Sequence, residues 1–322
     1  MTRPADDGSA VVGATASTGV ADVLRGSRRR ARVLAAFPAA LYLEHDDGLL
    51  ALVSPDGIAH PNAVVLAQPV ASPGLTGHAP GTVGHVGDLG VALPGLHARV
   101  TRWFDPRPRL RPVRASVLAT RSAAALALVE RRAGPTPELL ATRLRELVAA
   151  STTGDVAVTT AVARRLVGLG PGLTPAGDDV LAGLFAGTPA LAAALGRPHA
   201  PSVTALRGVA DRVLPTVGHA TTAVSAALLR HAARGEVAAP AAAVLRALTA
   251  AEVPDAVPSD GTAGPALCTG LDDLLAVGST SGRDLALGLL AAAEVLLHEA
   301  APRAAAAASR PLHDLPPIRG RT

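Results

Sequence analysis

Pro106-Arg107-Pro108-Arg109-Leu110-Arg111-Pro112 divides the chain. A proline has no N–H for a strand ladder, and three in seven residues end strand formation without starting a helix. Before this segment the apolar runs are short. Residues 39–43, 49–53 and 63–66 are cut by Asp46-Asp47-Gly48 and Pro55-Asp56-Gly57. Asp-Gly between apolar runs is a hairpin signal, and residues 84–93 and 98–104 continue the series. After the segment the period lengthens. Stretches 115–133, 137–150, 156–167, 178–195, 202–214, 221–233, 241–251 and 284–300 are rich in Ala, Leu and Arg and punctuated by Gly or Pro, which predicts helices. The expected fold class is α+β: a small β-rich N-terminal domain over residues 31–113 and a larger, mostly α-helical C-terminal domain over residues 114–300. A mobile segment, 1–30, and a flexible tail, 301–322, flank them.

Composition narrows the function. The chain has 322 residues, is 49% hydrophobic and carries a net charge of +4. It contains no lysine, which excludes a Schiff-base lysine and a Walker-type phosphate lysine. The basic cluster Arg28-Arg29-Arg30 with Arg32 reads as a solvated face, and no Arg stripe interleaved with aromatics marks a nucleic-acid surface. A single cysteine, Cys268, excludes an internal disulfide framework and reads as a small buried hydrophobe; Trp103 reads as packing. Residues 180–195, preceded by Asp179 and interrupted by Gly187-Thr188-Pro189, read as a buried helix and its end, not as a membrane span. No secretory leader is evident, so a cytoplasmic protein is expected.

The chemistry-bearing stretch is Gly168-Leu169-Gly170-Pro171-Gly172-Leu173-Thr174-Pro175-Ala176-Gly177-Asp178-Asp179. Thr174 before Pro175 reads as an N-cap followed by the first helical residue. A glycine loop feeding a helix N-terminus suits an anion, while a well-capped tight turn explains the same residues without one. A second stretch repeats the pattern. Ser279-Thr280-Ser281-Gly282-Arg283-Asp284 aligns with Thr174–Asp179, and both copies carry a further glycine, at Gly183 and Gly288. This predicts two helices packed through their glycines with both mouths at one end. His219-Ala220-Thr221-Thr222-Ala223-Val224-Ser225 is a third element. Thr222 and Ser225 share a helix face, Thr221 or Thr222 serves as an N-cap, and Ser225 bonds back into its own helix. His219 is expected in a loop. The pairs Asp46-Asp47, Asp178-Asp179 and Asp272-Asp273 each offer a cation one ligand readily.

These stretches carry a family resemblance. Gly168 to Asp179 with Val180-Leu181-Ala182-Gly183-Leu184 resembles the signature of the AllH-like family. Thr221-Thr222 with Ser225, Leu229, Ala232-Ala233 and Gly235-Glu236 resembles its second motif. Val277-Gly278-Ser279-Thr280-Ser281-Gly282-Arg283-Asp284 with Gly288 resembles its third. Ala176 stands where that family often has Ser, and Ser279-Thr280-Ser281-Gly282 where it commonly has His-Ser-Ser-Gly.

The resemblance implies a subunit of oxamate carbamoyltransferase, acting with two partner subunits in allantoin and purine nitrogen use. The reaction passes a carbamoyl group between carbamoyl phosphate and oxamate, giving oxalurate and phosphate. On that expectation Gly170, Gly172, Thr174 and Gly177 supply donors to a small anionic substrate. Ser279, Ser281 and Gly282 complete the cradle, Thr222 and Ser225 lie nearby, and Arg283 neutralises phosphate or carboxylate. Asp178, Asp179 and Asp284 are the candidate catalytic carboxylates, orienting donors or holding a cation. No cofactor is required, and magnesium is compatible. Two rivals use the same loops: a non-catalytic assembly subunit, and an ATP-dependent small-molecule kinase.

Overall fold

The computed structural model describes residues 10–70, 74–251 and 264–300. Eight strands, β1 (Ala10–Ser17), β2 (Arg29–Ala36), β3 (Ala40–His45), β4 (Gly48–Val53), β5 (Ala63–Leu66), β6 (Val83–Gly87), β7 (Gly90–Leu93) and β8 (Leu96–Phe104), close into a barrel. Its strand order is β1-β5-β4-β3-β2-β6-β7-β8, closed by parallel pairing of β1 with β8. Alternate residues point inward: Val12, Ala14 and Ala16 on β1, Leu41 and Leu43 on β3, Leu50 and Leu52 on β4, Leu96, Ala98 and Val100 on β8. That period of two fills the interior of a small barrel with aliphatic side chains.

The barrel begins before residue 31. β1 and the short helix α1 (Ala21–Arg25) lie inside the stretch expected to be mobile. Their small, polar-looking sequence hides an inward row that is almost entirely Val and Ala. The stretch 84–93 is two strands, turned through Asp88 and Leu89, which both adopt positive φ. Residues 1–9 and the tail 301–322 lie outside the described residues.

The helical part comprises α2 (Ala115–Ala133), α3 (Glu138–Thr153), α4 (Val156–Arg164), α5 (Ala176–Ala194), α6 (Pro201–Val213), α7 (Val217–Ala220), α8 (Ala223–Ala232), α9 (Ala239–Leu248), α10 (Pro265–Leu275) and α11 (Ser281–Ala300). The α+β expectation agrees with this mixture of an N-terminal barrel and a helical C-terminal region. One aliphatic core spans the helices, with α5 and α11 at its centre. α5 runs through Pro189, with Thr188 donating its hydroxyl to Leu184 O at 2.8 Å. Cys268 is only partly buried against this core, and Trp103 packs against the barrel core with the Arg25 guanidinium 4.9 Å from its ring centroid.

Barrel and helices are tied together. Leu49 packs on Val224 and Ala227 of α8. Backbone bonds run from Val237 N to Pro106 O and from Ala239 N to Ala59 O. Among the described residues, no helix is long and apolar enough to cross a membrane.

Candidate functional site

Helices α5 and α11 touch backbone to backbone. A Cβ added at Gly288 would lie 2.9 Å from Gly183 Cα and closer still to Val180 O, and one at Gly183 would meet Leu289 N at 2.7 Å. Only glycine permits that approach. It sets the two helix starts side by side, and the Thr174 and Ser281 hydroxyls hydrogen-bond across the joint at 2.7 Å. The mouths expected at one end do meet there.

Thr174 is not a cap. Pro175 holds the N-cap position of α5 with no side-chain capping bond, which releases the Thr174 hydroxyl to bridge to α11. On α8 Thr222 is the cap, accepting from Ser225 N at 3.1 Å, and it also donates to Leu173 O. Ser225 does not bond back into its own helix; it donates to Asp178 Oδ2 at 2.8 Å.

Asp178 is the anchor of the glycine loop. Buried at 1% exposure, it accepts from Gly168 N at 2.9 Å, from Ser225, and from the Thr221 hydroxyl. Gly168 needs its positive φ of 72° to reach this carboxylate. Asp284 is fully buried and takes a two-nitrogen clamp from its neighbour: Arg283 Nε at 2.9 Å and Nη2 at 2.8 Å, both on Oδ1. Burial pushes its pKa up, and Arg283 and Thr280 pull it part of the way back.

Asp179 differs from both. It is buried at 8% exposure beside Thr174 and Ser281 and has no cation against it among the described residues. Burial drives its pKa up, nearby Asp284 and Asp178 add to that, and hydrogen bonds from Ser281 and Thr174 oppose it; the result is about 8. At neutral pH it is mainly the neutral acid, with an O–H to donate. It lines a cavity of about 70 Å³ with Thr174, Ser281, His60, Glu236 and a set of aliphatic side chains. One water needs about 10–15 Å³ by this measure, so the space admits several waters or one small organic molecule.

The remaining expected residues fall around this joint. Gly177 and Gly282 are pressed against the carbonyl ends of Leu166 and Leu274, so they serve close packing. Gly170 and Gly172 lie in an exposed loop, both with positive φ, and Ser279 is exposed in the turn before α11. The N–H groups nearest the α5 mouth bond within the protein: Gly177 to Leu169 O, and Asp178 and Asp179 to Pro175 O. At α11, Gly282 N bonds to Val277 O and Asp284 N to Thr280 O. Arg283 is committed to Asp284, and His219 is exposed on α7. The other acidic pairs are partly taken by ion pairs, Asp47 with Arg29 and Asp272 with Arg132. Among the described residues no group of three or more His, Cys, Asp or Glu is placed to hold a metal ion.

Two further residues line the cavity, His60, which no motif contains, and Glu236, which the second motif contains without a role. His60 comes from the loop before β5, and burial drops its pKa to about 4, leaving the ring neutral. Glu236 is buried at 3% exposure and faces Arg107 Nη2 at 3.2 Å, Arg234 Nη2 at 3.1 Å and His231 Nδ1 at 2.6 Å. Burial raises its pKa, but the His231 bond and the Arg234 charge outweigh this and hold it below the ordinary carboxylate range. No spacing announces His60, whereas Glu236 meets His231 and Arg234 within five residues and only Arg107 reaches it from a distant segment.

Residues 166–293 match the family described as oxamate carbamoyltransferase subunit AllH. The match begins in the turn just after α4 and runs through most of α11, so it contains both helix mouths and Asp178, Asp179 and Asp284. No solved structure matches the chain.

Proposed function

Starting from a helical domain that matches the AllH family, we propose that this chain is a subunit of an oxamate carbamoyltransferase-type enzyme and that it meets substrate at the joint of its two helix mouths. One observation carries the reading. Asp179, kept protonated, shares a small cavity with two bridged hydroxyls.

In carbamoyl transfer the oxamate amide nitrogen attacks the carbamoyl carbon and gives up a proton, the carbonyl oxygen gains negative charge, and the carbonyl re-forms as the C–O bond breaks and phosphate leaves with that proton. Neutral donors aimed at that oxygen stabilise the charge, and a buried carboxylic acid is such a donor without lysine. Thr174 and Ser281 supply hydroxyls beside it. Asp178 keeps the glycine loop in place, and Asp284 with Arg283 fixes the second mouth. The exposed Gly170–Gly172 backbone meets the anionic end of the substrate. Action with two further subunits, cytoplasmic location, and a place in allantoin and purine nitrogen use belong to the same proposal. No cofactor is part of it, and magnesium enters only as a counter-ion of the phosphate.

A non-catalytic assembly subunit draws on a different observation, the helix-start N–H groups that already bond within the protein. Reconstituting the complex with its partner subunits decides between the two. Asp179→Ala should lower kcat about 100-fold, the scale of losing one oxyanion donor, while Asp179→Asn, which keeps an N–H donor, retains part of the rate. Wild-type activity should decline as pH rises through about 8. An Asp179→Ala chain that assembles and leaves kcat unchanged establishes the assembly role instead.

A further inference from the structure

A second, larger cavity of about 560 Å³ lies where the barrel meets α8. Four guanidinium groups line it, and they come from four places: Arg29 from β2, Arg107 from the proline-rich linker, Arg230 from α8 and Arg234 from the turn after it. Three carboxylates line it too, Asp22, Asp47 and Glu236, so the cavity keeps an excess of positive charge with every acid ionised. A neighbouring cavity of about 330 Å³ shares Arg107 and Arg234 and adds Arg207.

These charges are not equally committed. Arg29 is paired to Asp47. Arg107 and Arg234 both hold Glu236. Arg107 gives one N–H to Glu236 and keeps most of its five donors, whereas Arg234 engages Nε and Nη2 with Glu236 and His231 and keeps its Nη1 donors. Arg230 has no carboxylate partner among the described residues. It sits with Ala227 and His231 on the face of α8 that looks into the cavity, and Arg234 joins them from the turn that follows. Cations complementing the C-terminal dipole of α8 explain Arg230 and Arg234. They do not explain Arg29 and Arg107, which other elements bring to the same space.

We propose that this barrel–helix cleft binds a small oxyanion, a carboxylate or phosphate group, with Arg230 as its principal contact and Arg107 and Arg234 beside it. Arginine suits either anion because its planar fork donates two parallel bonds to a pair of oxygens. The cleft is separate from the mouth cavity, yet Glu236 lines both. An anion held here therefore lies on the other side of one buried carboxylate from Asp179. The site rests on charge and shape alone and stands whichever reaction the mouths perform.

The test is calorimetry on the full chain with inorganic phosphate and, separately, oxamate, at fixed ionic strength set with sodium chloride. The expected result is saturable binding of at least one anion, weakened tenfold or more by Arg230→Gln and unchanged by Arg99→Gln, an exposed arginine on β8 outside the cleft. If one anion alone binds, it identifies the source; mutual competition shows that both share the site. Three results overturn the proposal: no saturable binding of either anion, equal loss in Arg230→Gln and Arg99→Gln, or binding that survives Arg230→Gln within twofold. Binding abolished by Thr174→Val with Arg230→Gln intact moves the anion to the helix mouths and supports the mouth site instead.

Discussion

The two helix mouths are one backbone device built twice, with one charge reversed. Gly177 and Gly282 each press a helix start against the carbonyl end of a preceding leucine, and Gly183 and Gly288 then cross six residues further in. Asp179 and Asp284 occupy equivalent positions, both are buried, and each keeps Oδ2 without a partner. Between glycine and that aspartate stands Asp178 at the first mouth and Arg283 at the second. Arg283 clamps Asp284 as an ion pair. Asp178 turns away to gather donors from the glycine loop and α8, which leaves Asp179 with no cation and a pKa near 8. A single reversal thus separates a structural carboxylate from one that can donate a proton in a hydrogen bond.

The shared device breaks most severely at its crossing. Gly288→Val places a side chain into the backbone of α5, which cannot retreat without opening the core. We expect a loss of more than about 4 kcal/mol, the range of gross overpacking. Gly172→Ala is the contrast: an added Cβ meets nothing within 4 Å, and only the positive φ of 97° is strained, so about 1–2 kcal/mol is expected. Urea denaturation of both variants checks the pair.

The reversed charge is the next point of attack. Arg283→Gln leaves Asp284 buried beside a neutral amide. Breaking one partner of a buried pair costs about 3–5 kcal/mol, and the low end applies because the Arg283 side chain retains 11% exposure. Asp179→Asn at pH 7 should instead stabilise the fold, because the native acid must take up a proton that the unfolded chain has released and the amide carries no such cost. If the two changes destabilise equally, the two mouths are not electrostatically distinct.

The same contrast has a pH signature. Between its unfolded pKa near 4 and its native value of about 8, Asp179 binds a proton in the folded chain that it lacks when unfolded. Its contribution to stability therefore falls as pH rises through that window, by about 1.4 kcal/mol per unit, and levels off above it. Relative to Asp179→Asn, the wild-type chain should lose about 3 kcal/mol between pH 5 and 7. Denaturation curves at several pH values measure it, and parallel curves for the two proteins would assign Asp179 an ordinary carboxylate pKa.

Much of this frame is legible in the sequence. The proline-rich segment does separate strands from helices, and the glycines at 183 and 288 do mark a crossing, because close backbone approach leaves glycine as its trace. The opening of the barrel is less legible. β1 is built from small residues whose inward role depends on pairing with β8, more than eighty residues away. In β2 the alternation of Arg30 and Arg32 with Ala31 and Val33 is a strand signal, but the arginines read first as a charged cluster. α10 is hard to read from sequence because its short run of Leu and Asp follows Gly264-Pro265 and other turn-forming residues. The candidate carboxylates were visible as residue types, whereas their division of roles was not. Which of Asp178, Asp179 and Asp284 gains a partner depends on where Ser225, Thr221 and Arg283 arrive in three dimensions.

The smallest expected effect tests whether the mouths are coupled or merely adjacent. Thr174 and Ser281 are far apart in sequence and join through one hydroxyl–hydroxyl bond of 2.7 Å. Had Thr174 capped α5, its removal would cost about 1 kcal/mol whatever residue stood at 281. Because it bridges instead, each of Thr174→Val and Ser281→Ala should cost about 1 kcal/mol, the net worth of a typical hydrogen bond. Their effects should not add. Once one hydroxyl is gone, the other has already lost its partner, so the double variant should cost about 1 kcal/mol less than the sum of the singles. Asp179 sharpens the measurement, since both hydroxyls also hold its carboxyl down. Each single variant should therefore move the Asp179 titration upward, read from its carboxyl carbon by NMR. Additive stabilities with an unmoved titration would show two independent helix starts that share only a glycine crossing.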